Sequence, residues 1–164
     1  MTIFGISGSM ALMLVGFGLR DSIMDIARRQ YQELQHYTGT IIDDEDATDK
    51  ERQELDEFLK NNSQIERYTH VQFTKMSVPR NKSNISVYVY VPENLETFNK
   101  DVTLQDRKTK EKYKLTDAGT VISEKTATLT GLKVGDTMTI TKDGKNYETK
   151  IAAVTENYMG HYIY

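Results

Sequence analysis

The chain has 164 residues, 38% hydrophobic and 27% charged, with a formal net charge of -3 and no cysteine. That length suits one domain or two small subdomains sharing a core. The mild negative charge argues against a nucleic-acid surface, and the absence of cysteine excludes disulfides and thiolate metal sites.

An uncharged, mostly apolar run from Ile3 to Leu19 opens the chain and stops at Arg20-Asp21. As a helix it spans roughly 25 Å, just short of the ~30 Å hydrocarbon core of a bilayer. A signal peptide would need a basic start and small residues after the run, and neither is present. A buried soluble helix would bear Gly5, Gly8, Gly16 and Gly18 at about 1 kcal/mol each relative to Ala. A membrane helix tolerates glycine. Residues 1–19 therefore read as a partial transmembrane helix, with Ile3, Phe4, Leu12, Leu14, Val15, Phe17 and Leu19 as its apolar side chains.

Leu19, Ile23, Ile26, Leu34 and Tyr37 continue at helical spacing, with no Gly or Pro between Arg20 and Tyr37. The pattern predicts one long helix from Ile3 to Tyr37, ended by Gly39. Its exit, with Arg20, Asp21, Ile23, Ile26 and Leu34, would couple the membrane to the domain beyond. Thr40-Ile41-Ile42 reads as a short strand. Asp43-Asp44-Glu45-Asp46 fails the EF-hand pattern, lacking the glycine and the final glutamate, and reads as a solvated turn. Thr48-x-x-Glu51 is a capping box that starts a helix to about Asn61. Its thin apolar face of Leu55, Phe58 and Leu59 predicts a place on a sheet surface.

Gln64–Met76 predicts a strand, and the segment from Pro79 to Asn84 a turn. Ile85, Val87, Val89 and Val91 alternate with Tyr88 and Tyr90 in the clearest strand of the chain. Glu93–Asn99 reads as a short helix. Val102–Leu104 and Tyr113–Leu115 flank a charged hairpin turn. Thr120–Ile122 is a short strand, followed by a Ser123-capped helix ending at Gly131. Thr137–Thr141 and Asn146–Val154 pair across an Asp143-Gly144 turn. The fold class is α+β: a long N-terminal helix, an α/β layer and a small β-barrel-like subdomain. The expected divisions are 1–19, 20–101 and 102–164, with the last stretch, Asn157–Tyr164, leading toward a next membrane segment.

Catalytic patterns are missing. There is no phosphate-binding loop and no Gly-x-Ser-x-Gly elbow, and His36, His70 and His161 lack metal-ligand spacing. Three Asn-x-Ser sequences, Asn61-Asn62-Ser63, Asn81-Lys82-Ser83 and Asn84-Ile85-Ser86, are frequent by chance. The expectation is no enzyme, no cofactor and no metal.

Three stretches together resemble FtsX-like ABC transporter permeases of Gram-positive bacteria. Thr2–Gly8 with Gly16–Ile23 resembles the family's membrane helix and its exit. Gly119–Lys125 with Gly131-Leu132-Lys133-Val134-Gly135-Asp136 resembles a segment of its extracytoplasmic domain. Thr155–Tyr164 resembles the return toward the next membrane helix. The resemblance implies a fold like the extracytoplasmic domain of MacB-type permeases. It also implies a cell-membrane location with the domain outside, on a piece of a longer permease.

The implied partners are a cytoplasmic ABC ATPase subunit, acting through the rest of the permease, other membrane helices, the membrane itself and a second copy in a dimer. The transported peptide, lipid or lipoprotein is left open. Arg20, Arg28 and Arg29 follow the apolar run, and the positive-inside rule would put that end in the cytoplasm; the outside placement rests on the resemblance. The rival expectation is a membrane-anchored extracellular domain that binds or senses a peptide or protein, with Tyr88, Tyr90 or Tyr158 on a cleft wall.

Overall fold

A computed structural model describes residues 2–44, 46–80 and 84–164, with side chains from Gly5 onward. Glu45 and the predicted turn residues Asn81, Lys82 and Ser83 lie outside it, as do the side chains of Ile3 and Phe4. The chain is α+β, with one long N-terminal helix and a closed six-stranded barrel.

The apolar run and its amphipathic continuation form α1, Thr2–Arg28, of 27 residues, or roughly 40 Å of helix. The helix does not reach Tyr37. It widens into a π-helix over Arg29–Leu34 and stops at Gln35, whose backbone is extended. The cause is tertiary: Gln35 forms an antiparallel bridge with Val102, and His36 donates its backbone N–H to Asp101 O at 2.8 Å. Gly39 is therefore not the terminator, and Thr40–Ile42 joins no strand.

The Thr48 capping box starts α2, Asp49–Asn61, as the local sequence predicts. Of its thin apolar face only Leu59 is buried, while Phe58 is 58% exposed. Asp56 receives His70 Nε2 at 2.9 Å, tying α2 to the approach of the first strand.

The strands β1 (Val71–Val78) and β2 (Ile85–Pro92) form an antiparallel hairpin in full register. The helix α3 (Leu95–Asp101), capped by Asn94, leads to a two-stranded ribbon of β3 (Leu104–Gln105) and β4 (Lys112–Tyr113). The strand β5 (Thr120–Ser123) runs into α4 (Glu124–Thr130), which Ser123 caps and Gly131 ends at φ 76°. The strands β6 (Thr137–Lys142) and β7 (Lys145–Thr155) pair across Asp143-Gly144, both at positive φ, as such a tight turn requires.

The barrel closes in the order β1-β2-β8-β5-β7-β6, where β8 is Tyr162–Ile163. Within the last stretch, β8 runs parallel to β2 and antiparallel to β5, and fills the gap between them. The barrel takes strands from both sides of residue 101, so the segments 20–101 and 102–164 share one sheet.

Alternation divides the apolar residues between two cores. Val78, Val87, Val89, Ile122, Met138, Ile140, Ile151 and Ile163 pack together inside the barrel. Phe98, Val102, Leu104, Leu115, Val121 and Ala153 pack outside it, where α3 and the ribbon cover the wall. A register shift between β5 and β7 lets Ile151 join the first core and Ala153 the second.

Candidate functional site at the helix–barrel junction

The predicted residues separate into three places. Along α1, Leu12, Leu14, Val15, Phe17 and Leu19 are all exposed, as are Arg20, Asp21, Ile23 and Ile26. Only Leu34, at 3% exposure, is buried. Among the described residues no helix is long and apolar enough to cross a membrane.

Tyr88 and Tyr90 come together on the outer wall. Phe73 stacks on Tyr88 at 5.1 Å and meets Tyr90 edge-on at 5.6 Å, and Tyr162, Tyr164 and Phe98 extend the cluster. Burial among neighbouring phenols pushes Tyr37 up to about 12 and Tyr90 in the same direction. These rings pack against one another. The open depressions at the β1–β2 hairpin end, around His70 and Glu93, and along α2, around Glu54 and Phe58, contain none of the predicted tyrosines.

Tyr158 lies elsewhere, at the junction of helix and barrel, in a polar network that local sequence patterns do not reveal. Glu156 follows β7, with only 1% of its side chain exposed. Its Oε2 accepts from Lys110 Nζ at 2.7 Å and Gln105 Nε2 at 2.9 Å, and its Oε1 from the Tyr158 hydroxyl at 2.6 Å. Burial works against the charge, but the hydrogen bonds from Lys110, Tyr158 and Gln105 outweigh it and hold the carboxyl below its usual range. The wall beneath is fixed by Thr155, whose hydroxyl accepts from Gln105 N at 2.9 Å, and by Glu156 N donating to Gln105 O at 2.7 Å.

The network reaches the long helix by two routes. Gln30, 2% exposed, accepts the Tyr158 backbone N–H on its Oε1 at 2.9 Å. The Arg29 guanidinium, whose charge the neighbouring Tyr158 phenol favours after Asp25, pairs with Asp25 at 2.7 Å. Arg28 holds the other Asp25 oxygen at 2.7 Å, and the two arginines keep that carboxyl below its ordinary range. The Arg107 guanidinium lies 4.6 Å over the Tyr158 ring and pairs with Glu124 at 2.7 Å, bringing in α4. Leu34 O accepts Thr103 N at 2.8 Å and completes the seam.

The arrangement ties the helix end to the domain through hydrogen bonds and ion pairs. Among the described residues no group of three or more His, Asp or Glu could hold a metal. Gln30, Gln105, Lys110 and Glu156 went unrecognised in the sequence. One signal was available: Ile26, Gln30 and Leu34 lie four residues apart, so Gln30 interrupts an otherwise apolar row on one helix face. No family model matches the chain, and no curated protein matches it either.

Proposed function

We propose that the chain is the extracytoplasmic part of an FtsX-like ABC transporter permease, with a fold of the MacB type. In this role it couples ATP-driven movement of membrane helices to the handling of a peptide, lipid or lipoprotein outside the cell. One observation carries the reading: a helix continuous from Thr2 to Leu34 bears unpaired apolar side chains at one end and a buried polar seam at the other.

Burying Leu12, Leu14, Val15, Phe17 and Leu19 is worth on the order of 10 kcal/mol, at about 2 kcal/mol per side chain. That supports lipid or neighbouring membrane helices as their surroundings. At the other end, a push along α1 reaches the barrel through Gln30, Arg29 and Leu34, where a flexible linker would absorb it. Arg28 and Arg29 serve Asp25 and the seam. That structural use of two of the three arginines supports the outside placement against the positive-inside rule. The cytoplasmic ATPase and the rest of the permease supply the drive.

The test is thiol labelling of Lys142→Cys in intact bacterial cells producing the protein, which has no cysteine of its own. Labelling by a membrane-impermeant reagent is the expected result. Labelling only after lysis refutes the placement and the permease role with it.

The second reading, an anchored extracellular binding or sensing domain, is favoured by the half-exposed Phe73 on the aromatic wall. Three glycines inserted between Arg20 and Asp21 separate the two. Coupling would be lost under the first reading, and ligand binding kept under the second.

A further inference from the structure

The π-helix stands where α1 meets the barrel, and no local residue explains it. Proline is absent from the segment, and Arg28 enters it with ordinary helical angles. Its wide turn is closed by Gln35 N donating to Gln30 O at 3.0 Å, a span of five residues where an α-helix uses four. Both ends of that turn are fastened to loops of the domain: Gln30 to Tyr158 N, just past β7, and Leu34, Gln35 and His36 to the Asp101–Thr103 link between α3 and β3. Of the residues between, Tyr31 and Gln32 are exposed, and Glu33 is half-buried and paired with Arg28. These contacts therefore hold one surplus residue in a turn that is intrinsically less favourable than the α form.

We propose that the π segment is a register switch. When the Gln30 anchor lets go, the surplus residue is taken up into α-helix. Then α1 is driven outward by one residue, about 1.5 Å, and turned by about 100° relative to the barrel. Transmission is stepped, with two registers and no continuum between them. The inference rests on the coupling role proposed above, because it names how that junction moves.

The experiment measures the register directly and does not depend on transport or topology. Spin labels at Ser22→Cys and Lys145→Cys, both exposed positions, report the α1-to-barrel distance by pulsed electron paramagnetic resonance in lipid nanodiscs. At a helix radius of about 5–6 Å, a 100° turn carries the Ser22 label by about 8 Å.

Deleting Gln32 removes the surplus residue, turns the Gln35 N to Gln30 O bond into an ordinary α-helical one and so fixes the anchored register without a π turn. The wild type is expected to show two distance populations, one of them matching the deletion variant. Gln30→Ala should shift weight toward the other population. A wild type with one population, at the deletion distance, that Gln30→Ala then moves away by several Å also supports the switch. A single population unmoved by Gln30→Ala overturns it, and so do two populations of which neither matches the deletion. If the deletion variant fails to fold, Gln30→Ala against wild type decides: a shift of several Å supports the switch, and none overturns it. Either outcome leaves the thiol-labelling result standing on its own.

Discussion

Replacing Glu156 by alanine removes the centre of the seam. The lost carboxylate accepts three hydrogen bonds, from Lys110, Gln105 and Tyr158. Lys110 is 45% exposed and can turn to water, so its share is small. Gln105 is buried and loses the acceptor of its amide, at about 1–3 kcal/mol, and the half-buried Tyr158 hydroxyl loses a charged acceptor, at about 1 kcal/mol. The sum is about 2–4 kcal/mol, or a fall of roughly 10 °C in Tm for a chain of this size. Thermal unfolding of the detergent-solubilised protein, followed by tyrosine fluorescence, measures it.

Glu156→Gln, which keeps one acceptor oxygen, should cost about half as much. The same carboxylate gives a pH dependence. Its folded pKa lies below the ordinary 4.5, so its stabilisation is present above that value and is lost as pH falls through the lower folded value. The gap in Tm between wild type and Glu156→Gln should therefore be full at pH 6 and narrow below about pH 4. A gap that is constant from pH 6 to pH 3, or a Glu156→Ala loss below about 1 kcal/mol, refutes the account of this network.

Two further perturbations probe the frame that holds the seam. Gly119→Ala places a Cβ 2.7 Å from Lys150 O and 3.1 Å from Ala152 Cβ, beside the register shift of β5 and β7. The backbone there must give way, at about 1–3 kcal/mol, seen as a lowered denaturant midpoint. Thr48→Ala removes the hydroxyl half of the α2 capping box, which accepts from Glu51 N, and costs about 1 kcal/mol. Because α2 buries only Leu59, amide exchange should quicken throughout α2 while the global Tm changes little.

The parts of the fold that could be read from the sequence are those decided within a few residues. The Thr48-x-x-Glu51 box, the Ser123 cap with Gly131, and the Asp143-Gly144 turn each satisfy their backbone groups locally. Such signals survive any tertiary context. The helix end was misplaced because Gln35 finds its partner at Val102, far along the chain. Barrel closure was hidden for the same reason: β8 has two residues and owes its state to β2 and β5. Tyr88 and Tyr90 were rightly placed opposite the core-facing valines. Tyr158 stands apart from them, beside Glu156 and Arg107, because alternation gives a face and not a neighbour. Glu156 and Lys110 are 46 residues apart, and nothing near either one announces the other.

The position of β8 also sets a timetable. β2 is complete at Pro92, yet the strand that covers its free side follows only about seventy residues later. At 5–20 residues per second, a ribosome leaves that side of the hairpin bare for roughly 4–14 s. Throughout that interval Val87 and Val89 lack Ile163, and the half-built sheet presents an open edge to any passing strand. Nascent chains arrested before Tyr162 should then engage holdase chaperones more heavily than chains that have passed Ile163.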